Sequence, residues 1–310
     1  MMTVLFTSHR PLNRAENIKA VWDAYDGEKH FIQLALFRDN EELSSDKYSV
    51  LVTDEFVRAA PKTCIFIGHG VPATKYFGLD QFRPYHTPYD ARLLTYVISP
   101  SDYPYMKLLM ARQCGVHENQ VLAYGMPRTD VYFKRKKKPK DKRIYLYAPT
   151  YRAIDEGIDP MESTDFRLID ELLTDDEEFI VKAHMLEEDP SLEYKHIRVA
   201  SNNIASAEYI MNCDVLITDY SSIMFDAYLC NKPCVLFARD KSLYLQNRGM
   251  YFIYPNNYAS WFADNETDLI DLVRNVRGLT KTEKLVKELT TNRCDGHSTE
   301  RVIELIKGAI

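Results

Sequence analysis

Short apolar runs alternate with stretches of helical periodicity along the whole chain. In the first part, residues 3–8, 31–37, 48–53, 64–68 and 97–99 read as strands, with helix-like segments between several of them. The same alternation resumes further on, with strand-like runs at 144–148, 179–183, 197–199, 215–218 and 234–237. Helices are predicted at 103–113, 166–173, 205–212 and 223–230, and a last one at 298–307. Strands that alternate with helices favour βαβ units and parallel sheets, and buried parallel strands read as nearly continuous apolar runs. The predicted class is therefore α/β with two doubly wound, Rossmann-like domains.

Length agrees with that division, because 310 residues suit two domains of roughly 150 residues each better than one core. We place the boundary in a basic run, giving an N-terminal domain of 1–138, a C-terminal domain of 139–310 and an interdomain cleft. In such sheets ligands bind beyond the carboxyl ends of the strands. Candidate residues are therefore sought just after strands.

Composition narrows the class further. Hydrophobic residues make up 45% and charged residues 27%, which is the balance of a folded globular protein. The net charge of −6 argues against a nucleic-acid binder. No apolar stretch approaches the about 20 residues needed to cross a bilayer, no signal peptide is evident at the start, and the six cysteines lack a disulfide-framework spacing. A cytoplasmic protein with reduced thiols is expected. One local exception to the acidic balance is KRKKKPKDKR, from Lys134 to Arg143, with eight basic residues. It reads as an exposed linker, and also as a segment able to attract a polyanion or anionic lipid head groups at a membrane surface.

Several strand ends carry chemistry. The apolar strand at 215–218 runs into Thr218-Asp219-Tyr220-Ser221-Ser222, placing Ser221 and Ser222 at the start of a helix, where hydroxyls and unpaired N–H groups converge on an anion. Plain helix capping is the alternative. Asp226 follows four residues after Ser222 and is placed to meet a ribose. His69 stands between Gly68 and Gly70 at another strand end, a setting suited to a base that accepts a proton near neutral pH. His184 ends the strand at 179–183, with neutralisation of phosphate and simple strand termination both open. The turns Gly125-Met126-Pro127-Arg128-Thr129-Asp130 and Tyr147-Ala148-Pro149-Thr150-Tyr151-Arg152 are rich in phosphate-binding residue types. Each arginine can equally brace structure through a carboxylate. Neither a Walker-type phosphate loop nor a Gly-x-Gly-x-x-Gly fingerprint occurs. Asp219 and Asp226 leave room for a divalent metal, and no other cofactor is indicated.

Taken in order, Gly68-His69-Gly70-Val71-Pro72 with Lys75 and Gly78, the turns at Gly125 and Tyr147, His184, the run Leu216 to Asp226, Lys232-Pro233, Tyr244, Arg248-Gly249 and Asp295-Gly296 with Arg301 resemble the CDP-glycerol glycerophosphotransferase family of teichoic-acid synthesis. The resemblance implies a GT-B architecture with an acceptor-side N-terminal domain and a nucleotide-binding C-terminal domain. It implies transfer of glycerol phosphate or ribitol phosphate from CDP-glycerol or CDP-ribitol to a hydroxyl of a lipid-linked teichoic acid or capsular polymer, with release of CMP. By this resemblance His69 is the general base, His184 a second catalytic histidine, and Pro127, Arg128, Thr150, Arg152, Thr218, Asp219, Ser221, Ser222, Asp226 and Arg248 form the donor site. The sequence departs from the family pattern at Gly68, where tryptophan is usual, and at Ala153, where aspartate is common. Two other readings stand beside it: a GT-B nucleotide-sugar glycosyltransferase of surface polysaccharide synthesis, and a non-catalytic polyanion-binding relative. Association with the inner face of the membrane goes with the first.

Overall fold

The computed structural model describes residues 3–34, 41–76, 91–134, 140–152, 158–183, 190–201, 204–254 and 256–309. The chain divides into two units, one formed by 1–72, 77–134 and 289–310, the other by 73–76 and 135–288.

The first unit is built on β1 (Thr3–Ser8), α1 (Glu16–Ala24), β2 (Lys29–Gln33), β3 (Tyr48–Thr53), β4 (Thr63–Phe66), β5 (Tyr96–Ile98), α2 (Pro104–Cys114), β6 (Val121–Leu122) and the short α3 (Val131–Lys134). Its six strands are all parallel, in the order β2-β1-β3-β4-β5-β6. Every residue of β1 is buried, since both sheet faces are covered, and Thr-Val-Leu-Phe-Thr-Ser offers the β-branched and aromatic side chains that fill such a strand. One face packs Val4, Phe6, Val50, Val52 and Ile65 against Ile18 and Val21 of α1. The other packs Leu5, Leu51, Cys64 and Val97 against Met110 and Cys114 of α2.

The second unit contains β7 (Arg143–Tyr147), α4 (Pro160–Ser163), α5 (Phe166–Leu172), β8 (Glu177–Val181), β9 (Ile197–Val199), α6 (Ser206–Asn212), β10 (Val215–Thr218), α7 (Ile223–Leu229), β11 (Cys234–Phe237), α8 (Lys241–Asn247), β12 (Trp261–Ala263) and α9 (Glu266–Asn275). Its sheet is again wholly parallel, ordered β12-β11-β10-β7-β8-β9. Counted from β7 as the first strand, this is the 3-2-1-4-5-6 order of dinucleotide-binding sheets. Tyr145, Tyr147, Phe179, Val215, Ile217, Val235 and Phe237 form its core with Ile169 of α5 and Leu269 and Val273 of α9. Asn265 starts α9 by accepting the Asp268 N–H at 2.9 Å.

Helix α10 (Lys281–Thr291) leads from the second unit to α11 (Ser298–Ala309), which belongs to the first. The division at 138/139 assigned these last residues to the C-terminal half. The structure instead buries Val302 and Ile306 in the same cluster as Val4 and Phe6. Asp130 holds the start of α11, its Oδ1 and Oδ2 accepting the N–H groups of Ser298 and Thr299 at 3.0 and 2.8 Å. Arg301 adds hydrogen bonds to Asp295 and to the carbonyls of Tyr124 and Arg293.

All six cysteines are free, as expected of reduced thiols, and burial pushes those of Cys64, Cys114 and Cys213 up to about 12. Among the described residues no helix is long and apolar enough to cross a membrane.

Candidate functional sites at the two switch points

In each sheet the strand order reverses once, between β1 and β3 in the first unit and between β7 and β10 in the second. Crevices at such reversals, at the carboxyl ends of the strands, are where open α/β sheets bind ligands.

At the first reversal, Ser8 ends β1, Asp54 and Glu55 follow β3, and His69 follows β4. The turn after β3 is made by Thr53, whose Oγ1 donates to the Glu55 carbonyl at 2.9 Å and accepts the Glu55 N–H at 3.1 Å. Asp54 is 1% exposed, and its Oδ2 accepts from Ser8 Oγ at 3.2 Å. His69 Nδ1 lies 3.9 Å from Asp54 Oδ2 and 3.8 Å from Glu55 Oε1. Glu55 also approaches Nε2 of His9, at 4.0 Å. Gly68 carries the loop through φ +55°, a conformation that side chains rarely adopt, and Asn17 Nδ2 donates to its carbonyl at 2.8 Å. Asn17 also accepts the Arg128 N–H at 2.9 Å, while the Arg128 side chain pairs with Glu16 at 3.1 Å. The Pro127-Arg128 turn and the histidine loop are thus held by one buried asparagine at the start of α1. Pro127 and Thr129 are buried there.

Residue types at strand ends point to His69 but not to Asp54 or Glu55. The pairing Thr53↔Phe66 brings the ends of β3 and β4 side by side. An acidic pair directly behind the apolar run at 48–53 is the signal in the sequence that could have found them. Ligand atoms of Asp54, Glu55 and His69 lie within 4.8 Å of one another, close enough to hold a divalent ion, and among the described residues no other such group occurs.

At the second reversal, Arg152 sits between two carboxylates. Its Nη2 donates to Asp219 Oδ2 at 2.7 Å, its Nε to Asp240 Oδ2 at 2.8 Å, and its Nη1 to the Thr150 carbonyl at 2.6 Å. The guanidinium also lies 4.9 Å from the ring centres of both Tyr220 and Tyr244, which stack on one another at 3.7 Å. Tyr220 donates its hydroxyl to Asp240 at 2.8 Å. Burial on its own would lower the Arg152 pKa, but the charges of Asp219 and Asp240 outweigh it and hold the group above its usual range. Burial likewise opposes ionisation of Asp240, and the Arg152 hydrogen bond and charge more than offset it, leaving that carboxyl below its usual range.

These contacts change how several candidates read. Arg152 and Asp219, both expected in the donor site, pair with one another and form the buried frame of the turn. Asp219 Oδ1 further accepts the N–H groups of Thr150 and Tyr220 at 2.8 and 2.6 Å. Thr218 is fully buried and donates to the Ala148 carbonyl at 2.6 Å. Asp226 is 0% exposed on α7. Ser222 precedes α7 without a side-chain cap; the cap comes from Ser221 Oγ, which accepts the Ile223 N–H at 3.4 Å. Both serines are half-exposed at the turn that Asp219 fixes. Thr150 Oγ1 is buried with no hydrogen-bond partner. Arg248 is half-buried at the end of α8. His184 and half of the basic run, residues 135–139, lie outside the described residues.

Two wholly parallel doubly wound sheets, each with candidate site residues at its switch point, define a GT-B-like α/β protein. The structure of the wall teichoic acid polymerase TagF shares this fold, with a TM-score of 0.75 at 19% identity over 99% of this chain and 88% of that one. The chain belongs to the CDP-glycerol:poly(glycerophosphate) glycerophosphotransferase family, which it matches over residues 4–308. It is 26% identical to the teichoic acid glycerol-phosphate primase of Bacillus subtilis, over 91% of this chain and 77% of the relative. It is 28% identical to the teichoic acid poly(ribitol-phosphate) polymerase of Bacillus spizizenii, over 77% of this chain but only 42% of that protein. The chain is thus a CDP-glycerol glycerophosphotransferase-like enzyme.

Proposed function

We propose that this chain transfers glycerol phosphate or ribitol phosphate from CDP-glycerol or CDP-ribitol to a hydroxyl of a lipid-linked teichoic acid or capsular polymer, releasing CMP. The observation that carries the reading is His69, held at the switch point of the first unit by a glycine turn and faced by two carboxylates. In the proposed step the acceptor hydroxyl loses its proton to His69, and its oxygen attacks the polyol-bearing phosphorus. The bond from that phosphorus to the CMP oxygen breaks, and CMP leaves with the electron pair. Phosphoryl transfer depends mainly on positioning and charge stabilisation, which suits a site built from hydroxyls and fixed backbone.

The first unit takes the acceptor role and the second the donor role. In the second, the Thr150, Ser221 and Ser222 hydroxyls are the groups left for the donor diphosphate once Arg152 and Asp219 have satisfied each other. Arg128, Arg248 and His184 are further candidates for phosphate charge. With a lipid-linked acceptor, the enzyme works in the cytoplasm at the inner face of the membrane, and the basic run from Lys134 to Arg143 supplies attraction to anionic head groups.

The test is CMP release from CDP-glycerol and CDP-ribitol with a lipid-linked disaccharide acceptor, using UDP-sugars as controls and His69→Ala beside the wild type. CMP from one CDP-polyol, abolished in His69→Ala, is expected. Release of UDP from a sugar donor alone would establish a glycosyltransferase, and tight polymer binding without any donor turnover would establish a non-catalytic relative.

A further inference from the structure

We infer that Asp54 is a positioning residue that keeps His69 in the Nδ1–H tautomer, leaving the Nε2 lone pair to take the acceptor proton. The inference rests on the proposed role of His69 as the base.

Asp54 is buried, and its Oδ2 accepts a hydrogen bond from Ser8 Oγ while Oδ1 has no partner. A buried carboxylate with so few donors is costly unless a cation or an N–H group faces it. Among the described residues the basic side chain within 4.0 Å of it is His69, which faces Oδ2, the oxygen that also accepts from Ser8. Glu55 brings a second carboxylate to the same ring nitrogen. Ionised carboxylates only accept hydrogen bonds, so an unprotonated Nδ1 would set lone pairs against lone pairs from two directions. A proton on Nδ1 removes that conflict, and neutral imidazole then carries its lone pair on Nε2.

Exposure points the same way. Nδ1 is closed off from solvent, whereas the His69 side chain as a whole is 28% exposed, so the exposed part of the ring lies away from Nδ1. The loop that sets this orientation is itself held by Asn17 and the left-handed Gly68. The 3.8 and 3.9 Å separations exceed hydrogen-bond length, as separations in ligand-free catalytic sites often do before they tighten around substrate. Other charges around the cluster are His9, beyond Glu55, and the Glu16–Arg128 pair on the α1 side. A divalent ion among Asp54, Glu55 and His69 would occupy the Nδ1 lone pair and force the opposite tautomer. The two occupants of this cluster are therefore exclusive.

The experiment uses the full chain labelled with 15N-histidine, with long-range proton–nitrogen correlation of the His69 ring assigned through His69→Gln. The expected spectrum shows a protonated Nδ1 and an unprotonated Nε2. In Asp54→Asn the amide can donate to Nδ1, so the population should move to Nε2–H, and kcat should fall by about 100-fold or more with KM within about 2-fold. An Nε2–H tautomer in the wild type would overturn the inference even if Asp54→Asn failed to fold. So would an Asp54→Asn protein with wild-type kcat and an unchanged tautomer, and so would Mn2+ that binds the wild type and selectively broadens the His69 ring signals. Full turnover by His69→Gln, in contrast, would remove the base reading itself, and the tautomer result would then bear on Asp54 alone.

Discussion

Arg152 and Asp219, 67 residues apart, meet at 2.7 Å with side-chain exposures of 5% and 1%, so the turn after β7 and the turn after β10 are joined by a sealed ion pair. Removing one partner of such a pair strands a buried charge. Arg152→Ala should therefore lower unfolding free energy by about 3–5 kcal/mol in urea titrations, with Arg152→Lys in between because an ammonium cannot reproduce the fork. A phosphate ligand would behave otherwise, raising KM for the donor and leaving the unfolding midpoint unchanged.

Asp130 reaches across 168 residues to cap α11. Asp130→Ala removes the acceptor for two helix N–H groups at once, and a loss of about 1–2 kcal/mol is expected. Hydrogen exchange should show the loss concentrated in the first turn of α11.

Hydrogen bonding from Arg274, reinforced by Tyr145 and Thr174, holds the Glu177 carboxyl down at about 2, against an ordinary value of 4.5. Because the folded value lies below the unfolded one, the stabilisation is complete above about pH 4.5 and is lost as pH falls towards about 2. Glu177→Gln should be less stable at pH 7 and show a shallower decline of stability across that acid window, measured by denaturant midpoints at stepped pH.

Gly125 has φ +82°, and a Cβ there would stand 2.3 Å from the Arg293 carbonyl oxygen. Both the backbone and the space are closed to a side chain. Gly125→Ala should cost at least about 2 kcal/mol, read from thermal midpoints, and weaken the turn that carries Pro127 and Arg128.

Strands with fully apolar faces were legible in the sequence. Residues 3–8, 48–53, 215–218 and 234–237 match β1, β3, β10 and β11, since each carries three or more consecutive buried apolar residues, as strands covered on both faces do. The two-residue β6 is too short to carry any period, and β2 begins two residues before the expected run, at Lys29. Helix α1 was not legible because its buried positions, Asn17, Ile18 and Val21, include a polar residue whose function is to hold Gly68 and Arg128. In the candidate site, residue types at strand ends reveal His69 and Ser221. They could not reveal that Arg152 would spend its donors on Asp219 and Asp240, the latter 88 residues downstream. The acidic pair Asp54-Glu55 stands in plain view behind the run at 48–53, but its approach to His69 shows only once β3 and β4 lie side by side.

The placement of α11 in the first unit also dictates an order of events during synthesis. The segment that completes the core around Val4 and Phe6 is translated after the whole of the second sheet. The unit begun first is thus the one finished last, and its strands must wait on the ribosome with an open face that Val302 and Ile306 later cover. For that interval the nascent first sheet lacks the cover that Val302 and Ile306 supply, whereas the second unit is complete in sequence once residue 288 has cleared the exit tunnel.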